Sequence, residues 1–265
     1  MKGLLLELKG VSIAFDRTSP VVKNIDLAVM KNSFTALVGE SGSGKTVTAL
    51  SVCWLLEGVC VTGSIVWDGR TDLAAASEDE LVKVRGKRIA YVFQDPSSAL
   101  DPVLRVGEQI AEAYTVHFPG AVPKKKALEY LHFVNLKDPE RIWSSYPHEL
   151  SGGMKQRAVI AMALIAEPAL MIADEPTTAL DVSVQADILR LLKRIQKEKD
   201  LSILFITHDL DLAASCSDRI YVMEKGRIVE RMENSGGIFS PQEPYTQKLF
   251  KRQLLRHEPK TLIGP

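Results

Sequence analysis

The stretch GESGSGKT, from Gly39 to Thr46, decides the fold. It follows the apolar run FTALV and precedes the helical pattern VTALSVCWLL, so it joins a predicted strand to a predicted helix. Its glycines let consecutive backbone N–H groups point inward, and the N-terminus of the following helix adds positive charge. The stretch therefore predicts a phosphate-binding loop, whose residues are Gly39, Glu40, Ser41, Gly42, Ser43, Gly44, Lys45 and Thr46.

Two side chains of this loop suit a nucleotide with a metal ion. Lys45 can supply a mobile positive charge to the β- and γ-phosphates, and the hydroxyl of Thr46 can bind Mg²⁺. Such a loop needs a metal-holding carboxylate at the end of a neighbouring strand, and ALMIADEP provides Asp174 there. Glu175, just beyond the strand, can polarise a water that attacks the γ-phosphate. The alternative is an exposed acidic turn before Pro176.

A histidine follows another apolar run. LFITHDL places His208 at the end of a predicted buried strand. A lone histidine there is usually structural. In a parallel sheet, however, it would emerge at the same edge as Lys45 and Asp174, within reach of the γ-phosphate.

The pattern of apolar and helical stretches predicts an α/β protein with a mostly parallel core sheet. Helical stretches such as SVQADILRLLKRIQKEKD separate several short apolar runs. These predicted strands are FTALVG from Phe34, RIAYVF from Arg88, ALMIAD from Ala169 and SILFIT from Ser202. The early runs LLLELKGV, NIDLAV and GSIVWDG alternate more, which predicts an added antiparallel β layer. Between Gln94 and His148 the pattern is largely helical and predicts an inserted helical subdomain.

Composition excludes some functions. Lys+Arg and Asp+Glu are equal at 33 each, so no nucleic acid is expected as a partner. The longest apolar run, AVIAMALIA, is about half of what a bilayer-spanning helix needs, and the N-terminus lacks the apolar core of a secretory signal. A cytosolic location is expected. Cys53, Cys60 and Cys216 have no metal-ligand spacing and are expected to be reduced core thiols.

The stretch ELSGGMKQR, from Glu149 to Arg157, has two interpretations. Ser151 and the glycines can simply cap the helix that follows. Alternatively, a small hydroxyl and bare amides at a helix N-terminus form a site for an anion such as a phosphate.

Together these motifs resemble the nucleotide-binding subunits of ABC transporters, over nearly the whole chain. The six motifs occur in the family's order: GESGSGKT is similar to Walker A, FQDP with Gln94 to the Q-loop, LSGGMKQR to the signature, ALMIADEP to Walker B, TALD with Asp181 to the D-loop, and THD with His208 to the switch histidine. Phe15 matches the aromatic residue that stacks on adenine in the family.

The resemblance implies a P-loop NTPase domain of ABC type over 1–265. Its RecA-like core would span about 1–93 and 158–240, its helical subdomain about 94–157, and a short C-terminal tail about 241–265. The cofactors would be ATP and Mg²⁺. Catalytic roles would fall to Glu175, His208 and Gln94, and Mg²⁺ would be held by Thr46, Gln94 and Asp174.

The resemblance also implies partners. Two such domains pair head to tail in the family, so Ser151, Gly152 and Gly153 would meet a partner's ATP, with Asp181 beside them. The partner would be a second ABC ATPase subunit, different from this chain or identical to it. Two transmembrane permease subunits and an extracytoplasmic substrate-binding protein would complete an importer at the cytoplasmic face of the membrane.

Stretches outside the catalytic motifs resemble the peptide and nickel importer branch, among them VFQDPSSALDPVLRVGEQI and PQEPYTQKLF. Glu243 departs from the histidine usual in the family's C-terminal motif, which leaves nickel or another metal chelate open beside peptides. The competing class is a soluble ABC ATPase of DNA maintenance or iron–sulfur assembly. The DNA class usually has a long coiled-coil or zinc-bearing insertion, and assembly ATPases lack the importer-like stretches.

Overall fold

The computed structural model describes residues 3–15, 19–120, 123–178, 180–235 and 239–257. The end of the predicted tail, 258–265, lies outside them. The strands of the described chain are β1 (Leu4–Phe15), β2 (Val22–Met30), β3 (Phe34–Val38), β4 (Val59–Trp67), β5 (Thr71–Asp72), β6 (Ile89–Val92), β7 (Leu170–Asp174), β8 (Ser202–Thr207), β9 (Arg219–Glu224) and β10 (Arg227–Glu233).

The helices lie mostly between these strands. They are α1 (Lys45–Val52), α2 (Glu78–Val84), α3 (Val106–Thr115), α4 (Lys124–Phe133), α5 (Pro139–Ser144), α6 (Gly152–Leu164), α7 (Val182–Glu198), α8 (Leu210–Cys216) and α9 (Pro244–His257), with a short 3₁₀ helix at Pro147–Glu149. In the described part of the chain, no helix is both long enough and apolar enough to cross a bilayer.

Two sheets form the body of the fold. The smaller is antiparallel with the strand order β2-β1-β4-β5, and the larger has six strands in the order β10-β9-β3-β8-β7-β6. In the larger sheet β9, β3, β8, β7 and β6 pair in parallel, and only the β10–β9 pair is antiparallel. The predicted α/β class, with a mostly parallel sheet and an added antiparallel layer, is confirmed.

Three of the four inner strands of the larger sheet are buried throughout. Every residue of β3, β7 and β8 is buried, as expected where a parallel sheet is covered on both faces. Val38 pairs with Thr207, and Asp174 pairs with Ile206, so these strands end at one edge. The loop after β3, the end of β7 and the start of the segment after β8 therefore meet there.

The helical segment packs on one face of this sheet. Residues of α3, α4 and α6 share a hydrophobic cluster with Val92, Ala173 and Phe205 of the strands. Helix α6 runs without interruption from Gly152 to Leu164, across the predicted boundary at 157. The exact division into a core and a helical subdomain stays a prediction.

Three local predictions differ from the structure. Helix α1 ends at Val52, short of the predicted VTALSVCWLL, because Trp54 takes a left-handed conformation with φ of 52°. The hairpin of β9 and β10 was not predicted. The expectation of three core thiols was wrong for Cys60: Cys53 and Cys216 are buried, but Cys60 lies near the start of β4 on its exposed side.

Candidate functional site

The loop between β3 and α1 needs glycine where it passes β9. A Cβ atom at residue 39 would lie 2.2 Å from the carbonyl oxygen of Met223, which no larger residue tolerates. Gly44 caps α1 in a left-handed conformation, with φ of 107°. The buried Lys45 folds back over the loop, and its Nζ donates to the carbonyl oxygens of Gly39 at 2.8 Å and Glu40 at 3.0 Å.

The carboxylate of Asp174 is held at the end of β7. Its Oδ1 accepts a hydrogen bond of 3.2 Å from the Thr46 hydroxyl, and its Oδ2 accepts one of 2.8 Å from the Tyr91 hydroxyl. Burial raises the pKa of Asp174, and these two hydrogen bonds oppose the rise. Burial also lowers the pKa of Lys45, which the charges of Glu175 and Asp174 oppose. The amine of Lys45 therefore lies close enough to the carboxylates of Asp174 and Glu175 to feel their charges.

Three side chains contact the same oxygen of Glu175. The hydroxyl of Thr178 donates to Oε2 at 2.8 Å, His208 Nδ1 lies 3.1 Å from it, and Gln94 Nε2 lies 3.4 Å from it. Glu175 has a left-handed φ of 44°, a conformation that costs energy for a residue with a Cβ. Its backbone N–H donates to the carbonyl oxygen of Ile206 at 2.9 Å, which helps to hold this conformation.

These groups surround one cavity of about 450 Å³. Its lining residues are Val21, Ser41, Gly42, Gly44, Lys45, Thr46, Val47, Gln94, Glu175 and His208. The structure therefore brings five of the eight predicted loop residues to one cavity with all three predicted catalytic residues, whereas Gly39, Glu40, Ser43 and Asp174 do not line it. Sequence reasoning missed Val21, which lines the cavity, and Thr178, which follows Glu175 within the run DEPTT.

Other predicted site residues lie away from this cavity. Ser151 is exposed at the start of α6, and its hydroxyl accepts a hydrogen bond from the Met154 N–H at 3.4 Å. A Cβ atom at Gly153 would lie 2.8 Å from Val184, because α6 passes close to α7 there. Gly152 and Asp181 are exposed, and Phe15 ends β1 partly buried; none of these residues lines the cavity.

The cavity fits a nucleotide phosphate with a hard cation. Ser43 lies in the loop between the lining residues Gly42 and Gly44, and its buried hydroxyl has no hydrogen-bond partner among the described residues. A Cβ atom at Gly42 would meet no atom within 4 Å, so the backbone is open to close approach there. The oxygens of Thr46 and Asp174 are the ligand type that Mg²⁺ prefers.

A family model described as ABC transporter matches residues 22–178 of the chain. The chain belongs to the ABC transporter family. It is 45% identical over 254 residues to the oligopeptide transport ATP-binding protein OppD of Bacillus subtilis (strain 168), covering 93% of this chain and 71% of OppD. It is also 45% identical over 257 residues to the probable peptide ABC transporter ATP-binding protein y4tR of Sinorhizobium fredii, covering 93% and 76%.

Solved ABC structures share the fold. A dimeric post-hydrolysis state of the ATP-binding cassette MJ0796, bound to ADP and Pi, matches with a TM-score of 0.77 at 30% identity, covering 88% of this chain and 100% of that one. CbiO1 of Clostridium perfringens, part of the transporter complex cbiONQ, has a TM-score of 0.77 at 24% identity. The ABC-type fold implied by the motifs is therefore confirmed.

Proposed function

We propose that this chain is the ATP-hydrolysing subunit of an ABC importer that takes up peptides through separate membrane subunits. The observation that carries the proposal is the meeting of Lys45, the Thr46–Asp174 pair and Glu175 at one edge of the sheet. The relatives named above are ATP-binding proteins of oligopeptide or peptide transport. Their names favour transport over DNA maintenance or iron–sulfur assembly.

The loop residues bind the phosphates. Backbone N–H groups from Gly39 to Thr46 surround the β-phosphate, and Lys45 leaves its carbonyl partners to contact the β- and γ-phosphates. The hydroxyl of Thr46, the carboxylate of Asp174 and the amide of Gln94 are the groups that would hold Mg²⁺. When bound, Mg²⁺ neutralises charge on the phosphate oxygens.

Glu175 acts as the general base. Its carboxylate accepts a proton from the water that attacks the γ-phosphate. Thr178 and His208 hold one oxygen of this carboxylate, which orients the other oxygen. Gln94 connects the same site to the segment that leads into the helical region, so it transmits the state of the nucleotide to that region.

A second ATPase subunit completes the site. Ser151, Gly152 and Gly153 are not fully buried and do not line this chain's own cavity. In a head-to-tail pair, the N-terminus of α6 covers the γ-phosphate of the partner, and Asp181 lies beside the same interface. Phe15 stacks on adenine in this arrangement. MJ0796, which matches this chain over 88% of its length, is dimeric in its structure.

The membrane subunits dock on the surface formed by 94–150. Val103 and Leu104 of this segment are large apolar side chains with 75% and 39% of their surface accessible, and Phe93, which directly precedes Gln94, is 44% accessible. Exposed apolar surface of this kind marks interaction sites when it is contiguous. The subunit therefore works at the cytoplasmic face of the membrane, and ATP binding and hydrolysis move the 94–157 region relative to the core.

Vesicle transport tests this function. The chain is assembled with two permease subunits, a second ATPase subunit and an extracytoplasmic binding protein, and ATP is enclosed in vesicles. We expect peptide accumulation that requires ATP and stops with Glu175→Gln in this chain. Nickel uptake in place of peptide uptake would correct the substrate. Hydrolysis without any ATP-dependent uptake would contradict the transport function.

A further inference from the structure

Tyr91 contacts the metal-holding carboxylate from the edge strand of the core sheet. Strand β6 pairs in parallel with β7, and Tyr91 lies opposite Ile172, two residues before Asp174. Side chains two residues apart on a strand lie on the same face. The ring of Tyr91 therefore reaches along β7 to its end, where its hydroxyl donates to Oδ2 of Asp174 at 2.8 Å.

This hydrogen bond and the one from Thr46 together select one orientation of the Asp174 carboxylate. The terminal torsion of an aspartate side chain has a broad, two-fold preference. Asp174 is 5% exposed, so water does little to orient it. One oxygen receives the Thr46 hydroxyl and the other receives the Tyr91 hydroxyl. Loss of either donor leaves a buried carboxylate oxygen without its partner, which is costly.

We propose that Tyr91 is a positioning residue for Mg²⁺: it holds Oδ2 of Asp174 so that Oδ1 faces the metal together with the Thr46 hydroxyl. The inference rests on the proposed Mg²⁺–ATP site and adds a residue that none of the six motifs contains. Hydrogen bonds to a metal-binding carboxylate fix its geometry, and their loss typically lowers metal affinity by about 10- to 100-fold.

The surroundings of Tyr91 hold its ring in place. The ring centroids of Tyr91 and Phe93 are 4.7 Å apart in a tilted contact. Gln94 follows on the same segment, so the strand that orients the carboxylate also leads directly into the loop that contacts Glu175.

Tyr91→Phe removes the hydroxyl and keeps the ring. Binding of a fluorescent ATP analogue is measured in the full chain, first with a chelator and then across a Mg²⁺ titration. We expect unchanged affinity in the chelator and a half-saturating Mg²⁺ concentration that rises by about tenfold or more. Electron paramagnetic resonance of Mn²⁺ with the nucleotide gives a second readout that needs no turnover, and we expect a changed spectrum.

Tyr130→Phe is the matched control. The Tyr130 hydroxyl also donates to a carboxylate, that of Glu167 at 3.2 Å, but it lies in α4 and does not line the nucleotide cavity. We expect wild-type Mg²⁺ dependence in this variant. A change below twofold in Tyr91→Phe, or an equal change in both variants, overturns the positioning role. If the wild type itself shows no Mg²⁺ dependence, the metal site of the proposed function fails as well.

Discussion

His208 Nδ1 lies 3.1 Å from Oε2 of Glu175, and the two residues follow the neighbouring parallel strands β8 and β7. The side chain of Glu175 is 14% exposed, whereas that of His208 is 48% exposed. The carboxylate is therefore fixed within the fold while the imidazole borders the open cavity. A contact of this kind can hold a general base without closing the site to a nucleotide.

Glu175→Gln tests the general base. The amide has the same shape and can keep a hydrogen bond to Thr178, but it cannot accept the proton of the attacking water. We expect ATP binding to persist and turnover to fall by about 10²-fold or more, within the range of positioned acid–base groups. Single-turnover hydrolysis measures the loss. Glu198→Gln, at the exposed end of α7, serves as the control, and a loss below threefold would remove Glu175 from this role.

Lys45→Ala tests the phosphate contact. Lys45 is 4% exposed, and in a site otherwise built from backbone amides it supplies positive charge to the phosphates. We expect the variant to lose most nucleotide binding, measured by titration of a fluorescent ATP analogue. Thermal unfolding establishes that the variant is folded, and Lys197→Ala, exposed on α7, is the control. Near-normal affinity in the folded variant would contradict the proposed role of Lys45.

The three cysteines should differ in reactivity. Burial raises the pKa of Cys53 to about 12 and that of Cys216 to about 11, so both remain thiols near neutral pH. Cys60 is exposed on β4. We expect one rapidly alkylated thiol in the folded protein and three after denaturation, counted by mass spectrometry after brief iodoacetamide treatment. Loss of the fast reaction in Cys60→Ser would identify it, and fast labelling at residue 53 or 216 would contradict this assignment.

The sequence predicted the parts of the fold that depend on local pattern. The buried strands β3, β7 and β8 are short apolar runs, and the polar residues at their carboxyl ends meet because parallel strands end at one edge. A contact made by a side chain from another strand, such as that of Tyr91 with Asp174, is not predicted by any local sequence pattern. Tyr91 is partly buried on a strand, like many core residues, and only the register of β6 with β7 brings it to Asp174.

The sequence pattern also did not predict which side chains are exposed. Cys60 lies in the strand VCVTGSIVW, whose successive side chains face opposite sides of the sheet. The sequence alone does not say which side of β4 is covered. Thr178 was overlooked because threonine in a loop has many ordinary roles; its hydrogen bond to Glu175 depends on the turn that follows β7. The cavity likewise contains Val21, a residue outside every motif.

Ser151→Arg tests whether the signature helix acts on a partner's nucleotide. Ser151 is exposed at the N-terminus of α6 and does not line this chain's own cavity. We therefore expect the isolated variant to bind ATP like the wild type. In the assembled transporter, the arginine would fill the space of the hydroxyl and disturb the amides aimed at the partner's γ-phosphate. Turnover at the partner's loop should fall by about 10²-fold or more, the range for loss of a preorganised donor.

Introducing Glu175→Gln into this chain makes the turnover measurement specific to the partner's loop. Glu175→Gln in this chain silences hydrolysis at its own loop, so the remaining turnover comes from the partner's loop covered by this chain's Ser151. Adding Ser151→Arg to that background should abolish the remaining turnover, whereas Ser215→Arg, exposed on α8, should leave it unchanged. If the Ser151 variant loses its own ATP binding while the partner's loop keeps full turnover, the signature acts within its own chain. The head-to-tail arrangement would then be wrong.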